Sequence, residues 1–170
     1  GGRFRLPLFY YSDFLDAAYA YHWIRPPIDL YGIPTSTITG INIVNTHYFD
    51  AVGLTTQLWY GEHEKSEEDF FLDFTKSQGI NVMLEYEWLR LRAVYHTLNI
   101  GIDVKPFLVD TPGGLNRIDP DATVIRVEYM ALGFMVDYDA FIWRSEYTRI
   151  DNESNVDIEE SAYGSLGYLI

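Results

Sequence analysis

The sequence predicts an all-β fold of antiparallel strands, and three observations predict it. Apolar residues recur at every second position through runs of about ten residues, the period of a strand with one apolar side. The runs end in stretches rich in Asp, Glu, Asn, Gly or Pro, which break strands and form turns. The connections then alternate in length. Short turns follow Phe49, Trp88 and Asp137, while long polar loops follow Tyr11, Gly61, Ile102 and Ile150. Sorting short turns to one end and long loops to the other is how outer-membrane barrels are built, and a soluble sandwich has less reason to do it.

Taken in order, Phe4 to Phe9 reads as a short strand interrupted by Pro7, which marks a strand end or edge. Tyr10 to Pro34 has no clean period of two and reads as a long ordered loop, with room for a helical turn at Phe14 to Ala20. Thr37 to Phe49 is a strand with Ile41 and Ile43 on one face. Leu54 to Gly61 is the next, with Leu54, Thr56, Leu58 and Tyr60 outward. Glu62 to Asp69 reads as an acidic loop, and Phe70 to Thr75 fits a strand extension or a short helix equally. Ile80 to Trp88 is the clearest strand: Ile80, Val82, Leu84, Tyr86 and Trp88 share one face, and Asn81, Met83, Glu85 and Glu87 the other. Leu91 to Ile102 follows a tight turn. Asp103 to Thr123 is a second long loop marked by Pro106, Pro112, Gly113-Gly114 and Pro120. Val124 to Asp137, Ala140 to Ile150 and Ala162 to Ile170 complete about eight strands in a single domain.

Composition narrows the function classes. The 25 acids against 12 Lys plus Arg give a formal net charge of −13, which argues against a nucleic-acid partner and would draw cations to an acidic pore. There is no cysteine, so disulfides, thiolate chemistry and Cys-ligated metals are excluded. No stretch reaches the roughly 18 apolar residues of a helical membrane span. Barrel strands, with their weaker alternating signal, stay open. Gly1-Gly2-Arg3-Phe4 does not read as a signal peptide, so mature or internal sequence is expected.

The polar stripes carry the charges. Glu85 and Glu87 lie one strand from Arg90 and Arg92, Arg126 and Glu128 alternate on another strand, and Arg144 and Glu146 on a third. If these strands are neighbours, opposite charges form a ladder on one surface. A barrel with that surface inside has a wet lumen. A sheet with a solvated outer face fits the same ladder, and periodicity alone leaves both open.

A family resemblance enters through Gly2-Arg3-Phe4-Arg5-Leu6-Pro7-Leu8-Phe9-Tyr10-Tyr11-Ser12-Asp13 and then Ala18-Tyr19-Ala20-Tyr21-His22-Trp23-Ile24-Arg25-Pro26-Pro27-Ile28-Asp29-Leu30-Tyr31-Gly32. This stretch resembles the Gly-Arg strand and the aromatic, Arg-Pro-Pro loop of Gram-negative outer-membrane porins of the sixteen-stranded type, with weaker similarity in strand pattern beyond it. The resemblance implies an antiparallel transmembrane β-barrel, or a partial barrel of about eight strands. It implies a trimer in the bacterial outer membrane, against lipid and lipopolysaccharide, passing ions and small hydrophilic solutes. Residues 10–34 fall where the loop that folds into the lumen would be, so Asp13, Asp16, Arg25 and Asp29 are expected at the constriction. Glu85, Glu87, Arg90, Arg92, Arg126, Glu128, Arg144 and Glu146 are expected along the pore wall. Members of that family are about twice this length and end in an aromatic residue, so the chain is expected to be a middle portion and Ile170 a truncation point.

No catalytic role and no cofactor are expected. His22, His47, His63 and His96 are scattered without metal-ligand spacing. Asp151, Glu153, Asn155 and Asp157 alternate like the start of a calcium loop, but Val156 stands where the turn glycine belongs and Ala162 where the bidentate Glu belongs. No serine sits in a Gly-x-Ser-x-Gly elbow. Tyr48, Tyr60, Tyr86, Trp88, Tyr138 and Trp143 near strand ends fit interfacial girdles as well as ordinary packing. The alternative of a different class is a soluble β-barrel or sandwich with the Ile80, Leu84 and Tyr86 face turned inward around a small apolar ligand.

Overall fold

The computed structural model of the chain describes residues 1–9, 37–66, 70–104, 107–111, 114–118, 123–153 and 158–168. Every regular element among them is a strand: β1 (Gly2–Arg5), β2 (Thr37–Phe49), β3 (Val52–Ser66), β4 (Phe70–Tyr86), β5 (Leu89–Val104), β6 (Phe107–Thr111), β7 (Gly114–Ile118), β8 (Thr123–Tyr138), β9 (Phe141–Asn152) and β10 (Glu159–Tyr168). Eight form one antiparallel sheet in the order β1-β2-β3-β4-β5-β8-β9-β10, and β6 and β7 form a separate hairpin between β5 and β8. The sheet is not closed into a barrel. β1 and β10 end it, and the barrel closure expected from the sequence gives way to an open eight-stranded sheet.

Three hairpins set the strand spacing at one end. Phe49 pairs with Val52, Tyr86 with Leu89 and Tyr138 with Phe141, leaving two-residue loops. Each loop opens on an acidic residue in the left-handed region: Asp50, Glu87 and Asp139, with φ of 50°, 41° and 54°. Positive φ there matches the loop to the right-handed twist of the flanking strands.

At the other end the strands run on further than expected. β3 continues to Ser66 and β4 starts at Phe70, so most of the expected acidic loop at Glu62–Asp69 is a paired arm. Antiparallel pairing satisfies backbone groups whatever charge the side chains carry, and it overrides local composition here. The register shifts between Gly61 and His63 on β3 and between Thr75 and Gln78 on β4, where Lys76 takes φ 50°. These bulges bend the arm relative to the wall below it.

β1 is shorter than expected. Pairing with β2 stops at Arg5, and Leu6, Leu8 and Phe9 turn onto one face of the sheet, where they join Ile38, Trp59, Val94, Tyr129 and Ala131 in a buried cluster. Pro7, which has no N–H to give a ladder, stands at that departure. β8 is five strands from β1, about 24 Å away in a flat sheet. The three residues from Arg5 to Leu8 reach about 11 Å. Yet the Tyr129 hydroxyl donates to the Leu8 carbonyl at 3.1 Å, and Phe9 packs edge-on against the Tyr129 ring with centroids 5.7 Å apart. The sheet therefore curls toward this segment, and that face is its inner one.

Candidate functional site

Register and alternation sort the side chains onto two faces. The inner face carries rows such as Asn42, Trp59, Gly79, His96 and Tyr129, then Gln57, Asn81, Val94, Ala131 and Thr148, then Met83, Arg92, Gly133 and Glu146. The outer face carries Ile43, Leu58, Ile80, Tyr95 and Met130 in one row and Val82, Ala93, Leu132 and Tyr147 in the next. Exposure follows this division. Leu58, Leu132 and Trp143 are 46%, 60% and 49% exposed, whereas Arg92 and Glu146 are 7% and 1% exposed. In the rows from Met130 to Tyr138 the large apolar side chains are out, while the inner face holds the Arg92–Glu146 pair beside the buried cluster around Trp59 and Tyr129.

A continuous polar chain crosses the inner face. The Gln57 amide donates to Asn42 Oδ1 at 3.2 Å, Asn81 donates to Gln57 Oε1 at 3.4 Å, and Arg92 Nε donates to Asn81 Oδ1 at 3.0 Å. Arg92 Nη1 then meets Glu146 Oε1 at 3.5 Å, and its Nη2 donates to the Pro7 carbonyl. One guanidinium thus joins the wall, the acid two strands away and the segment lying across the face. A fork of five donors suits that role, and a lysine could not serve three directions in one plane. Next to it, Glu85 faces Arg90 directly across β4 and β5 at 3.0 Å, with Arg144 in the same row beyond Met135.

Two glycines make contacts between non-adjacent strands possible. Gly133 stands between Arg92 and Glu146 in their row, so no side chain separates them. Gly79 lies under the Trp59 indole, where an added Cβ would run into the ring. Trp59 passes over it to bring Nε1 within 3.2 Å of His96 Nδ1. The same Nδ1 is 2.9 Å from the Gln78 carbonyl. Nδ1 serves one of these two partners according to its tautomer, accepting from the indole N–H when bare and donating to the carbonyl when protonated.

Of the eight residues expected on the pore wall, Glu85, Arg90, Arg92, Arg144 and Glu146 share the inner face. Arg126 and Glu128 do not join them. They alternate with Met130 and Leu132 on the outer face, beyond the apolar rows, where Arg126 pairs with Glu128 at 3.0 Å and Glu153 at 3.9 Å. Glu87 occupies the β4–β5 turn. Asp13, Asp16, Arg25 and Asp29, with the rest of 10–34, lie outside the described residues. Asn42, Gln57 and Asn81 were not singled out from the sequence, because an isolated amide gives no signal until register lines it up with others. Among the described residues no group of three or more His, Asp or Glu could hold a metal, and no helix is long and apolar enough to cross a membrane, which says nothing of strands.

Compared with known proteins, the chain matches no family model, no curated protein and no solved structure.

Proposed function

We propose that this chain forms wall of an outer-membrane porin, a passive, weakly cation-preferring channel for ions and small hydrophilic solutes, with no catalytic residues. One observation carries the reading. The same long strands present a largely apolar stripe outward, continuous on β4, β5 and β8 and broken by Asn45 and His47 on β2 and Thr56 on β3, and a hydrogen-bonded ionic stripe inward. β2 to β5 and β8 run for 13, 15, 17, 16 and 16 residues, against about 3–10 for ordinary strands. On β8 the outward apolar residues run from Met130 to Tyr138. Eight steps of ~3.4 Å give about 27 Å, and at the ~40° tilt of barrel walls this covers about 21 Å. The apolar band of such walls is ~25 Å tall. Tyr86, Trp88, Tyr138 and Trp143 cluster at the short-turn end, all substantially exposed, as an interfacial girdle requires.

The soluble alternative needs the Ile80, Leu84 and Tyr86 face turned inward, and that face is the outward one here. Lipid also demands that edges be paired. β1 covers β2 only over Thr37–Gly40. On this reading a further antiparallel strand lies along Ile41–Phe49 in the assembled barrel. Trimeric assembly and a constriction formed by residues 10–34 belong to the same proposal.

Reconstitution into a planar bilayer tests it. Stepwise conductance with a reversal potential weakly favouring cations in a salt gradient is expected, as the charge of −13 implies. Absence of conductance, or anion selectivity, refutes the corresponding part.

A further inference from the structure

A short strap and a buried imidazole meet on the inner face. Leu6 to Phe9 form the strap, held by two polar contacts. The Tyr129 hydroxyl donates to the Leu8 carbonyl at 3.1 Å, and Arg92 Nη2 donates to the Pro7 carbonyl. Leu6 and Leu8 are almost fully buried in one cluster with Trp59 and Tyr129. His96 stands in the row between those two side chains, paired with Gly79 on one side and Tyr129 on the other, and has no exposed surface. Its Nδ1 has the Trp59 indole N–H and the Gln78 carbonyl within reach. Its Nε2 has no hydrogen-bond partner among the described residues.

This setting suits a neutral ring alone. A second proton makes donors of both ring nitrogens. Nδ1 could then serve the Gln78 carbonyl but no longer accept from Trp59, and the new Nε2–H would meet no acceptor. No counter-charge faces the ring among the described residues. Its row offers Trp59 from β3, Gly79 from β4 and the phenol of Tyr129 from β8, and the strap offers Leu6 and Leu8. Along β5 on this face the next charge is the cation of Arg92, four residues or about 14 Å away, and Glu146 is already its partner. An imidazolium sealed in without a partner is strongly disfavoured, so the face opens to water instead. The strap is the part free to leave, because ladder pairing with β2 stops at Arg5. We infer that the strap is an acid-released latch: protonation of His96 lifts Leu6 to Phe9 off the inner face. A solvated imidazole titrates near ~6.5, so the closed strap is fully favoured above that pH and loses stability as pH falls below it. On the channel reading the freed strap stands in the lumen. That consequence rests on the reading, and the release does not.

The chain has no cysteine, so one introduced thiol is a unique probe. Leu8→Cys reports on the strap, and Asp139→Cys, in an exposed turn, reports on the reagent. A charged, water-soluble methanethiosulfonate labels each in detergent, and the ratio of the two rates removes the pH dependence of thiolate formation. From roughly pH 7.5 to 5.5 the ratio should rise about tenfold, the gain that one proton taken up near ~6.5 gives the open form. His96→Asn keeps an acceptor for Trp59 and a donor for Gln78 but does not titrate, so in that background the ratio should stay flat. His96→Phe serves if His96→Asn does not fold, and Phe9→Cys serves as the probe if Leu8→Cys leaves the strap open at every pH. A ratio unmoved by pH with His96 in place, or a rise of equal size without it, overturns the inference. The channel reading fails by a separate result, a silent bilayer, which leaves these rates unaffected.

Discussion

Arg92 on β5 reaches Glu146 on β9 across an intervening strand, because the residue between them in the row is Gly133. Both side chains are almost wholly buried, at 5% and 1% exposed. Arg92 also holds Asn81 and the Pro7 carbonyl, so the pair ties three parts of the inner face together.

Breaking such a pair leaves an uncompensated buried charge. Arg92→Ala and Glu146→Ala should each destabilise the protein by about 3–5 kcal/mol, with the double variant well short of the sum. Denaturant unfolding in detergent measures it, and additive losses would show that the two side chains do not interact.

Gly133→Leu should act like a third member of that set. Its side chain would stand between guanidinium and carboxylate, so its effect should largely disappear in an Arg92→Ala background. A thermodynamic cycle on the two positions checks this, and an undiminished loss would place the Leu side chain elsewhere.

The outer face gives a contrast between two environments. Leu132 is 60% exposed in the middle of the apolar stripe, and Tyr138 is 61% exposed at the short-turn end. In a bilayer Leu132→Lys should lose about 2–4 kcal/mol and Tyr138→Lys about 0–1 kcal/mol. In water both substitutions should fall within ~0.5 kcal/mol of the parent. Folding into vesicles, followed by urea titration, separates the two cases.

Charges on opposite faces should differ in effect on conduction. Arg90→Gln removes a cation from the inner face and should shift the reversal potential further toward cations. Arg126→Gln, on the outer face, should leave it unchanged and alter stability by less than about 1 kcal/mol. An equal shift from both would mean that the assignment of faces has no bearing on permeation.

Backbone exchange tests the free edge. If a further strand lies along β2, as the channel reading requires, the amides of Ile41–Phe49 should all be slow to exchange, because each is paired on one side or the other. If no strand lies beside β2, alternate amides in that stretch should exchange quickly while their neighbours, bonded to β3, stay protected.

Much of the fold was legible in the sequence because alternation is a local property. The β2 strand appears at the bounds its pattern predicted, Thr37–Phe49, and the stripe of Ile80, Val82, Leu84 and Tyr86 is one face of β4. The turns at 50–51 and 139–140 fall where the alternation ends, whereas the turn at 87–88 falls inside the run read as one strand to Trp88, because alternation continues through the two turn residues. The sequence by itself thus determined an all-β chain with two chemically opposed faces. Only the tertiary structure decided which charges meet. Glu128 and Arg92 looked like members of one ladder, yet a strand's facing depends on register against a neighbour far away in sequence, and one residue of slip exchanges its faces. The Arg92 to Glu146 contact, the Trp59 ring over Gly79, the turn of Leu6 to Phe9 onto the inner face and the open sheet all arise from strands that meet only in space. Local periodicity has no means of recording that.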